Sequence, residues 1–260
     1  MEASSLAIGT VTLAGLFNNA VDCFEYVQLG RNFGTNFQTS LLKLDNARLR
    51  LSRWGQAVGL SGSVEHARSL QESSVKIEDI PKAEKVLGQI LELFVESEKI
   101  SARYKISVGA NSSNTAILDA NADLDAVGQY LHEKMRKLCI NRQNGSTLRH
   151  KARWALYEEK RLHRLIEDII ELIDDLVGLF PAIEEAQRKL CEAEVSEIGA
   201  ESLSTLIEII RSQDKDLEKA ISDAMKAADY KQSTTYNNYH SKIANQATTM
   251  SVYGGQTINL

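Results

Sequence analysis

Residues 3–30 read ASSLAIGTVTLAGLFNNAVDCFEYVQLG, and the interpretation of the chain starts from this stretch. No formal charge occurs from Ala3 to Val21, and in a helix this run rises by about 28 Å, close to the thickness of a bilayer core. From Val11 onward the apolar residues keep helical spacing, which also suits one buried face in a protein core. The stretch therefore predicts a helix that is compatible with both a protein interior and lipid.

Other interpretations of the same stretch lead to different functions. The simplest is an ordinary core helix, as amphipathic helices usually are. A secretory signal is not expected, because Glu2 is the charge that precedes the run and signal peptides begin with basic residues. A permanent membrane anchor is disfavoured by Asn18 and Asn19, since polar groups buried without a partner cost roughly 2–7 kcal/mol.

The composition indicates an all-α protein of the cytosol. A chain of 260 residues with 43% hydrophobic residues can bury the core of one large domain or two small ones. Two prolines interrupt a sequence rich in helix-forming residues, and three isolated cysteines without a CxxC pair favour thiols in a reducing compartment. The net charge of −5 disfavours nucleic-acid binding, which normally needs a basic face.

Apolar residues recur at three- and four-residue steps through most of the chain, which predicts a single multi-helix bundle. The first helix is expected to end in the turn Gly30–Gly34, with Gly30 as the residue that follows the helix. Further helices are predicted over residues 37–58, 81–106, 123–140, 159–180, 182–198 and 201–230. The segment Trp154–Tyr157 fits either the start of a helix or a short strand.

The second predicted helix is the most basic one in the chain. Lys43, Arg48, Arg50 and Arg53 occupy positions that its apolar residues leave open. The simpler interpretation is a solvated basic face, and the functional one is contact with acidic lipid headgroups.

The sequence changes character after Lys231. Residues 232–260, QSTTYNNYHSKIANQATTMSVYGGQTINL, carry one formal charge, that of Lys242, and show no helical periodicity. Their Asn, Gln, Thr and Gly content suits either disorder or cross-β stacking. We therefore divide the chain into a helical domain, residues 1–228, and a polar tail, residues 229–260.

An enzyme is not expected from the motifs. The sequence contains neither a GxGxxG nor a GxxxxGK[ST] phosphate-binding loop, and its histidines do not suggest a nucleophile with its base. Glu159, His163 and Glu167 are spaced to share one helix face and could ligate a metal, but such spacing is common on exposed faces. No cofactor is expected.

Three segments resemble the fungal HeLo domain family, the family of the HET-s, HET-S and LopB-like proteins. The densest are LAGLFNNAVDCFEYVQLGRNFG (residues 13–34) and LLKLDNARLRLSRWGQAVGL (residues 41–60), followed more loosely by HKARWALYEEKRLHRLIEDI (residues 150–169). The resemblance covers about residues 1–228. It implies a compact helical bundle with one very short two-stranded β piece, which favours the strand for Trp154–Tyr157.

The resemblance also implies a function. Family members act as pore-forming cell-death effectors in fungal heterokaryon incompatibility, moving from the cytoplasm to the plasma membrane when the first helix leaves the bundle. The residues expected to enter the membrane are Leu6, Ile8, Val11, Leu13, Leu16, Phe17 and Val21. The expected partners are acidic lipid headgroups, other copies of the chain, and an amyloid-motif protein or NLR-like receptor.

Two further segments take their roles from the resemblance. The turn of Gly30, Arg31, Asn32, Phe33 and Gly34 is expected to control activity, and in the family the position of Asn32 separates inactive from toxic forms. Asn is neither of the usual residues there. The tail has the place of an amyloid segment but lacks the family's two charged pseudo-repeats, and its candidate residues are Val252, Tyr253, Gly254, Gly255, Gln256, Thr257, Ile258 and Asn259.

The alternative function is that of a soluble helical adaptor, or of an inactive prion-like partner. In both of these the N-terminal helix would stay in the core.

Overall fold

The computed structural model describes residues 2–61, 77–109, 116–143, 153–211 and 213–233. For residues 2–11, 31, 32, 35, 77, 108 and 229–233 it describes the backbone alone. The amyloid candidates Val252–Asn259 lie outside these ranges.

The described chain is almost entirely helical and contains one pair of very short strands, which confirms the predicted fold class. The helices and strands, in chain order, are α1 (Glu2–Tyr26), β1 (Val27–Leu29), α2 (Phe37–Ala57), α3 (Ile80–Val108), α4 (Ala120–Asp123), α5 (Ala126–Arg142), β2 (Trp154–Leu156), α6 (Glu159–Leu179), α7 (Glu184–Ile198), α8 (Leu203–Ile210) and α9 (Lys215–Ser233). Short 3₁₀ turns occupy Arg31–Asn36, Ile77–Asp79, Pro181–Ile183 and Ala200–Ser202.

Local chemistry explains several helix ends. The side chain of Asp125 accepts a hydrogen bond from the backbone N–H of Gly128 at 2.7 Å and caps α5. Pro81 lies in the first turn of α3, where a missing N–H leaves no bond unmade. Gly199 follows α7 with a φ of 82°, a conformation that glycine adopts without strain.

Helix α2 lies between two hydrophobic clusters. The first cluster is built by α1, α3, α6 and one side of α2, to which Leu51 and Trp54 belong. The second is built by α5, α7, α8, α9 and the other side of α2, which contributes Leu42 and Leu49. Because α2 contributes buried residues to both clusters, it is the helix that they share. The buried apolar residues of α1 belong to the first cluster and those of α9 to the second.

The prediction for the end of the first helix is wrong. The helix ends at Tyr26, and Val27–Leu29 pairs in parallel with Trp154–Leu156. Gly30 is extended, with φ −76° and ψ 162°, and its N–H donates to the carbonyl oxygen of Leu156 at 2.7 Å. The reason is the burial of alternate residues: Val27 and Leu29 are buried while Gln28 is half-buried, a period of two that a strand satisfies.

The prediction of an exposed basic face on α2 is wrong for its three arginines. Arg48, Arg50 and Arg53 are 4%, 9% and 1% exposed. Each forms an ion pair with a carboxylate from another helix. Lys43 is half-buried.

Two smaller differences concern the last helices. The single helical region predicted from residue 201 is two helices, α8 and α9, separated at Gln213 and Asp214. The separation has a clear cause, because the carboxylate of Asp214 caps α9 by accepting from the N–H of Leu217 at 3.1 Å. The short helix α4 also precedes the predicted fourth helix.

Candidate functional site

The part of α1 that was expected to enter the membrane is packed into the bundle. Leu13, Phe17 and Val21 are at most 1% exposed, and Leu16 is half-buried. The backbone of Leu6, Ile8 and Val11 belongs to α1, but their side chains lie outside the described part of the chain. Among the residues that the structure describes, no helix combines the length and the apolar character that crossing a membrane requires.

The ring of Phe17 holds the centre of α1 against α2. A β-carbon at Gly55 would lie 2.2 Å from two atoms of that ring, so glycine is what allows the close approach. Trp54 lies beside it, with ring centroids 6.2 Å from Phe17 and 6.0 Å from Phe180 of the segment after α6. Trp54 therefore contacts both α1 and the segment after α6.

Two buried polar atoms in this part of the bundle, one on α1 and one on α2, lack hydrogen bonds. The indole N–H of Trp54 and the amide oxygen of Asn18 are buried, and neither has a hydrogen-bond partner within the described structure. A buried polar atom without a partner costs about 1–3 kcal/mol. The contact of Phe17 with Trp54 is thus closely packed, but the indole N–H of Trp54 remains without a hydrogen bond.

A second contact secures the C-terminal end of α1. The carboxylate of Glu25 accepts hydrogen bonds from Arg48 of α2 and, at 2.8 Å, from Arg136 of α5. Burial alone would raise the pKa of Glu25, but the two guanidinium groups outweigh it and hold that pKa below its usual value. The side-chain amide of Gln143, just after α5, donates a hydrogen bond to the carboxylate of Asp22 at 2.7 Å. This is a second connection between α1 and the end of α5.

A histidine–aspartate pair joins α5 to α2 next to this contact. The Nδ1 atom of His132 lies 2.7 Å from a carboxylate oxygen of Asp45. Burial lowers the pKa of His132, but the hydrogen bond and charge of Asp45 outweigh it and raise that pKa above its usual value. Burial also raises the pKa of Asp45, although His132 acts in the opposite direction.

These two charged contacts open to a cleft. Its volume is about 690 Å³, and Glu25, Asp45, His132 and Arg136 are among its lining residues. Water and ions can therefore reach the ion pairs at the end of α1, which makes them sensitive to pH and salt.

The turn that was expected to control activity follows β1 directly. A β-carbon at Gly30 would lie 2.5 Å from Cδ1 of Tyr157, so the turn is in close contact with the residue after β2. Phe33 is 2% exposed and anchors the turn in the first cluster, while Gly34 has a φ of 51°. The side chains of Arg31 and Asn32 are outside the described part.

A buried charge cluster was missed by the sequence reasoning. Arg53 donates to both carboxylate oxygens of Glu194, at 2.6 to 3.0 Å, and to Asp214 at 3.1 Å. Arg142 lies 2.6 Å from Oε1 of Glu194, an oxygen that Arg53 also contacts. One signal was available: Glu194 shares its helix face with the buried residues Cys191, Val195 and Ile198.

The candidate metal ligands do not form a site of three. His163 lies 3.7 Å from Glu159, and that carboxylate also accepts from Asn36 at 3.1 Å. No group of three His, Cys, Asp or Glu side chains suited to a metal ion occurs within the described ranges. Cys23, Cys139 and Cys191 are buried, and none of them takes part in a disulfide.

Comparison with known proteins agrees with this architecture. The HeLo family, described as "Prion-inhibition and propagation", matches residues 5–209. The chain belongs to the HeLo family. Heterokaryon incompatibility proteins s and S of Podospora anserina are each 35% identical to it over 224 residues, which cover 86% of this chain and 73% of theirs. Neither name denotes a catalytic activity.

Solved structures confirm the HeLo fold. The HET-s N-terminal domain matches with a TM-score of 0.74 at 33% identity, covering 83% of this chain and 98% of that domain. A double mutant of the same domain matches with a TM-score of 0.74 at 32% identity, covering 82% and 98%. The predicted short β piece is part of the architecture that these matches support.

Proposed function

We propose that this HeLo protein is a membrane-permeabilising cell-death effector of heterokaryon incompatibility. In its resting form α1 lies in the bundle, as described above. In its active form α1 leaves the bundle and enters the plasma membrane, where several copies assemble. The relatives named heterokaryon incompatibility proteins support the biological role, and the packing of α1 supports the mechanism.

The observation that carries the proposal is the burial of the apolar face of α1 in the bundle, because the same side chains would also leave water in lipid. Burial of Leu13, Phe17, Val21 and Phe24 is worth roughly 1.5–3 kcal/mol each, or about 6–12 kcal/mol together, in the bundle or in lipid. The unsatisfied indole N–H of Trp54 opposes the bundled form. A trigger then needs to supply only the difference between the two states.

Polar residues of α1 favour an assembly of several copies in the membrane. Asn18 and Asn19 are costly in hydrocarbon unless they face protein or water. Association of several α1 helices would place these side chains between helices or along an aqueous lumen. Acidic lipid headgroups are the proposed surface partner.

The tail is the proposed input. The tail, residues 229–260, has a composition that permits cross-β stacking. An amyloid-motif protein or NLR-like receptor would present the template on which the tail folds.

Dye release from vesicles containing acidic lipid tests the proposal, with the full chain and with or without fibrils of the tail peptide. Gly15 of α1 is exposed and a β-carbon there meets no atom within 4 Å, so Gly15→Lys leaves the bundle intact. In a bilayer the same lysine costs about 2.5–3.5 kcal/mol. We expect wild type to release dye when seeded, and Gly15→Lys to release much less.

Matched variants separate insertion from charge alone. Gly178→Lys adds the same charge at an equally open position on α6 and should release dye as wild type does. Leu16→Lys tests the adjacent, half-buried face of α1. Release that persists in both Gly15→Lys and Leu16→Lys would show that α1 is not the inserting element, and the absence of any release would favour an adaptor or an inactive partner.

A further inference from the structure

The end of the bundle where α3 ends and α6 begins is basic, although the whole chain has a net charge of −5. Side-chain contacts bring its parts together. Tyr104 of α3 stacks on Tyr157, the residue after β2, with ring centroids 5.1 Å apart. Arg161 of α6 lines the same small cavity as these two tyrosines. The exposed cations of this region, which we call the basic end, are Lys99, Arg103, Lys105, Arg153, Lys160, Arg161 and Arg164.

Neighbouring carboxylates do not neutralise the basic end. Among the described side chains, Arg161 is the one member that forms an ion pair, and its partner is Glu158. The carboxylate of Glu159 has other partners, since it accepts a hydrogen bond from Asn36 at 3.1 Å and lies 3.7 Å from His163. The basic end therefore keeps an excess of positive charge that attracts anionic surfaces.

Helix α6 changes sign along its length. Lys160 and Arg161 lie in its first turn, where the helix dipole disfavours cations. Glu167 and Glu171, in later turns, are exposed carboxylates. An anionic surface attracts the first turn of α6 and repels the later ones, so the charges favour an approach with the basic end forward.

An exposed apolar side chain accompanies these cations. Ile106 is 82% exposed, the highest value among the large apolar side chains that the structure describes. It follows Lys105 in the last turn of α3 and shares a helix face with Arg103, three residues earlier. This combination suits a lipid interface, where cations meet headgroups while an apolar side chain enters the acyl boundary.

We propose that the resting bundle docks on acidic membranes through the basic end, with Ile106 as its apolar anchor, before α1 leaves the bundle. The inference deepens the proposed function and rests on it for its biological meaning. Docking itself requires neither tail fibrils nor permeabilisation. The arginines of α2 do not serve this contact, because they are buried.

Docking in this orientation places the C-terminal end of α1 beside the membrane. Strand β1 directly follows α1 and pairs with β2. The turn after β1 contacts the basic end twice, through Gly30 against Tyr157 and through Asn36 bound to Glu159. The helix proposed to insert is thus held near lipid before it is released.

Flotation of the resting full chain with vesicles tests the docking, without tail fibrils. The vesicles contain phosphatidylcholine alone or phosphatidylcholine with phosphatidylserine. The triple variant Arg103→Gln, Lys160→Gln, Arg164→Gln removes exposed cations and should fold as wild type does. At about fivefold for each cation, its affinity for the acidic vesicles should fall by roughly a hundredfold. Added salt should narrow this difference.

A matched triple variant separates the basic end from net charge. Lys85→Gln, Lys219→Gln and Lys226→Gln make the same change in charge at exposed positions of α3 and α9, and this variant should bind nearly as wild type does. Equal losses in both triple variants would overturn the role of the basic end. Equal binding of wild type to neutral and acidic vesicles would overturn docking on acidic lipid.

A fluorescent label tests the anchor. Because Cys23, Cys139 and Cys191 are buried, a thiol-reactive, environment-sensitive dye should label Ile106→Cys at the introduced residue. Acidic vesicles should increase its emission, and lipid-borne nitroxide should quench it. The control is Val95→Cys, at a 48% exposed residue about 16 Å earlier along α3, where emission should stay unchanged. Quenching at residue 95 and not at residue 106 would place a different surface on the membrane.

Two further results have separate meanings. Displacement of the chain from acidic vesicles by inorganic phosphate, beyond that caused by chloride at equal ionic strength, would overturn docking on lipid in favour of a phosphate site. Docking of the resting chain without dye release by the seeded chain would refute the proposed function and leave the docking surface standing.

Discussion

Phe17 of α1 rests on Gly55 of α2 so closely that a β-carbon at residue 55 would come within 2.2 Å of its ring. Real β-carbons do not approach other atoms to that distance, so any side chain at residue 55 must move the ring. Since the ring is fully buried, moving it means moving α1. This contact is where a single methyl group can shift the balance between bundled and released α1.

Gly55→Ala should destabilise the bundle and open α1. The overpacked ring costs about 1–3 kcal/mol, which exceeds the gain of up to about 1 kcal/mol from replacing glycine within a helix. Urea unfolding and the labelling rate of Cys23 measure the two effects. Gly88→Ala on α3 is the control, because a β-carbon there meets no atom within 4 Å and the variant should be unchanged or more stable. Equal stability of both variants would contradict the role of this contact.

Glu25→Gln should loosen the C-terminal end of α1. The substitution leaves the buried guanidinium of Arg48 without its carboxylate, at a cost of about 1–3 kcal/mol. Because the two arginines hold the pKa of Glu25 below 4.5, its contribution is present above that pH and is lost as pH falls through the lowered pKa. Wild type and variant should therefore differ in urea at neutral pH and converge in strong acid. Glu133→Gln, at an exposed carboxylate of α5, should unfold in urea as wild type does, both at neutral pH and in strong acid.

The His132–Asp45 pair predicts a loss of stability as pH rises through neutrality. The pKa of His132 is raised in the folded protein, so its stabilising charge is fully present below 6.5 and is lost as pH rises through the raised value. The raised pKa of Asp45 acts in the same direction at lower pH. Glu25, Arg136, Arg48 and Glu133 share the cleft with the pair.

His132→Asn is the variant that tests this pH dependence. It retains a donor for Asp45 but cannot acquire a charge, so the decline in Tm between about pH 6 and 8 should be smaller than in wild type. A wild-type Tm that stays flat over that range would contradict the prediction. A decline of the same size in the variant would assign it to another group.

The cysteines should be nearly inert in the folded protein. Burial raises the pKa of Cys191 to about 12, against the opposing charge of Arg53, and it also raises the pKa of Cys139. A thiol titration at pH 8 should therefore proceed slowly under native conditions and count three groups after denaturation. Fast native reaction of the Cys191 peptide would show that the second cluster opens readily.

The helices with strong apolar stripes could be predicted closely, because their burial follows local periodicity. The sequence predicts α6 over residues 159–180, and it spans Glu159–Leu179. The strand Val27–Leu29 could not be predicted in the same way, since its partner lies more than a hundred residues away. Val27 also continues the apolar spacing of α1, so the local pattern extends the predicted helix into this strand.

The charged part of the site was the least predictable. Arginine is almost never fully buried unless it is paired, so a basic helix suggests a solvated face. Arg53 is buried because it is paired with Glu194 of α7 and with Asp214, which precedes α9. Both partners lie far along the chain, at spacings that no local pattern shows. Phe17, by contrast, was expected to be an important apolar residue, but its dependence on Gly55 required the packed structure.

The parallel pairing of β1 with β2 has a consequence for biosynthesis. β1 directly follows α1, but its partner strand begins at Trp154. At translation rates of about 5–20 residues per second, the apolar first helix leaves the ribosome on the order of ten seconds before that partner exists. During this interval a nascent chain can neither close the sheet nor complete the first cluster, and a chaperone or the ribosome surface must shield a segment suited to lipid. Slower synthesis between residues 30 and 154 should therefore increase aggregation or mistargeting of new chains more than slower synthesis after residue 160.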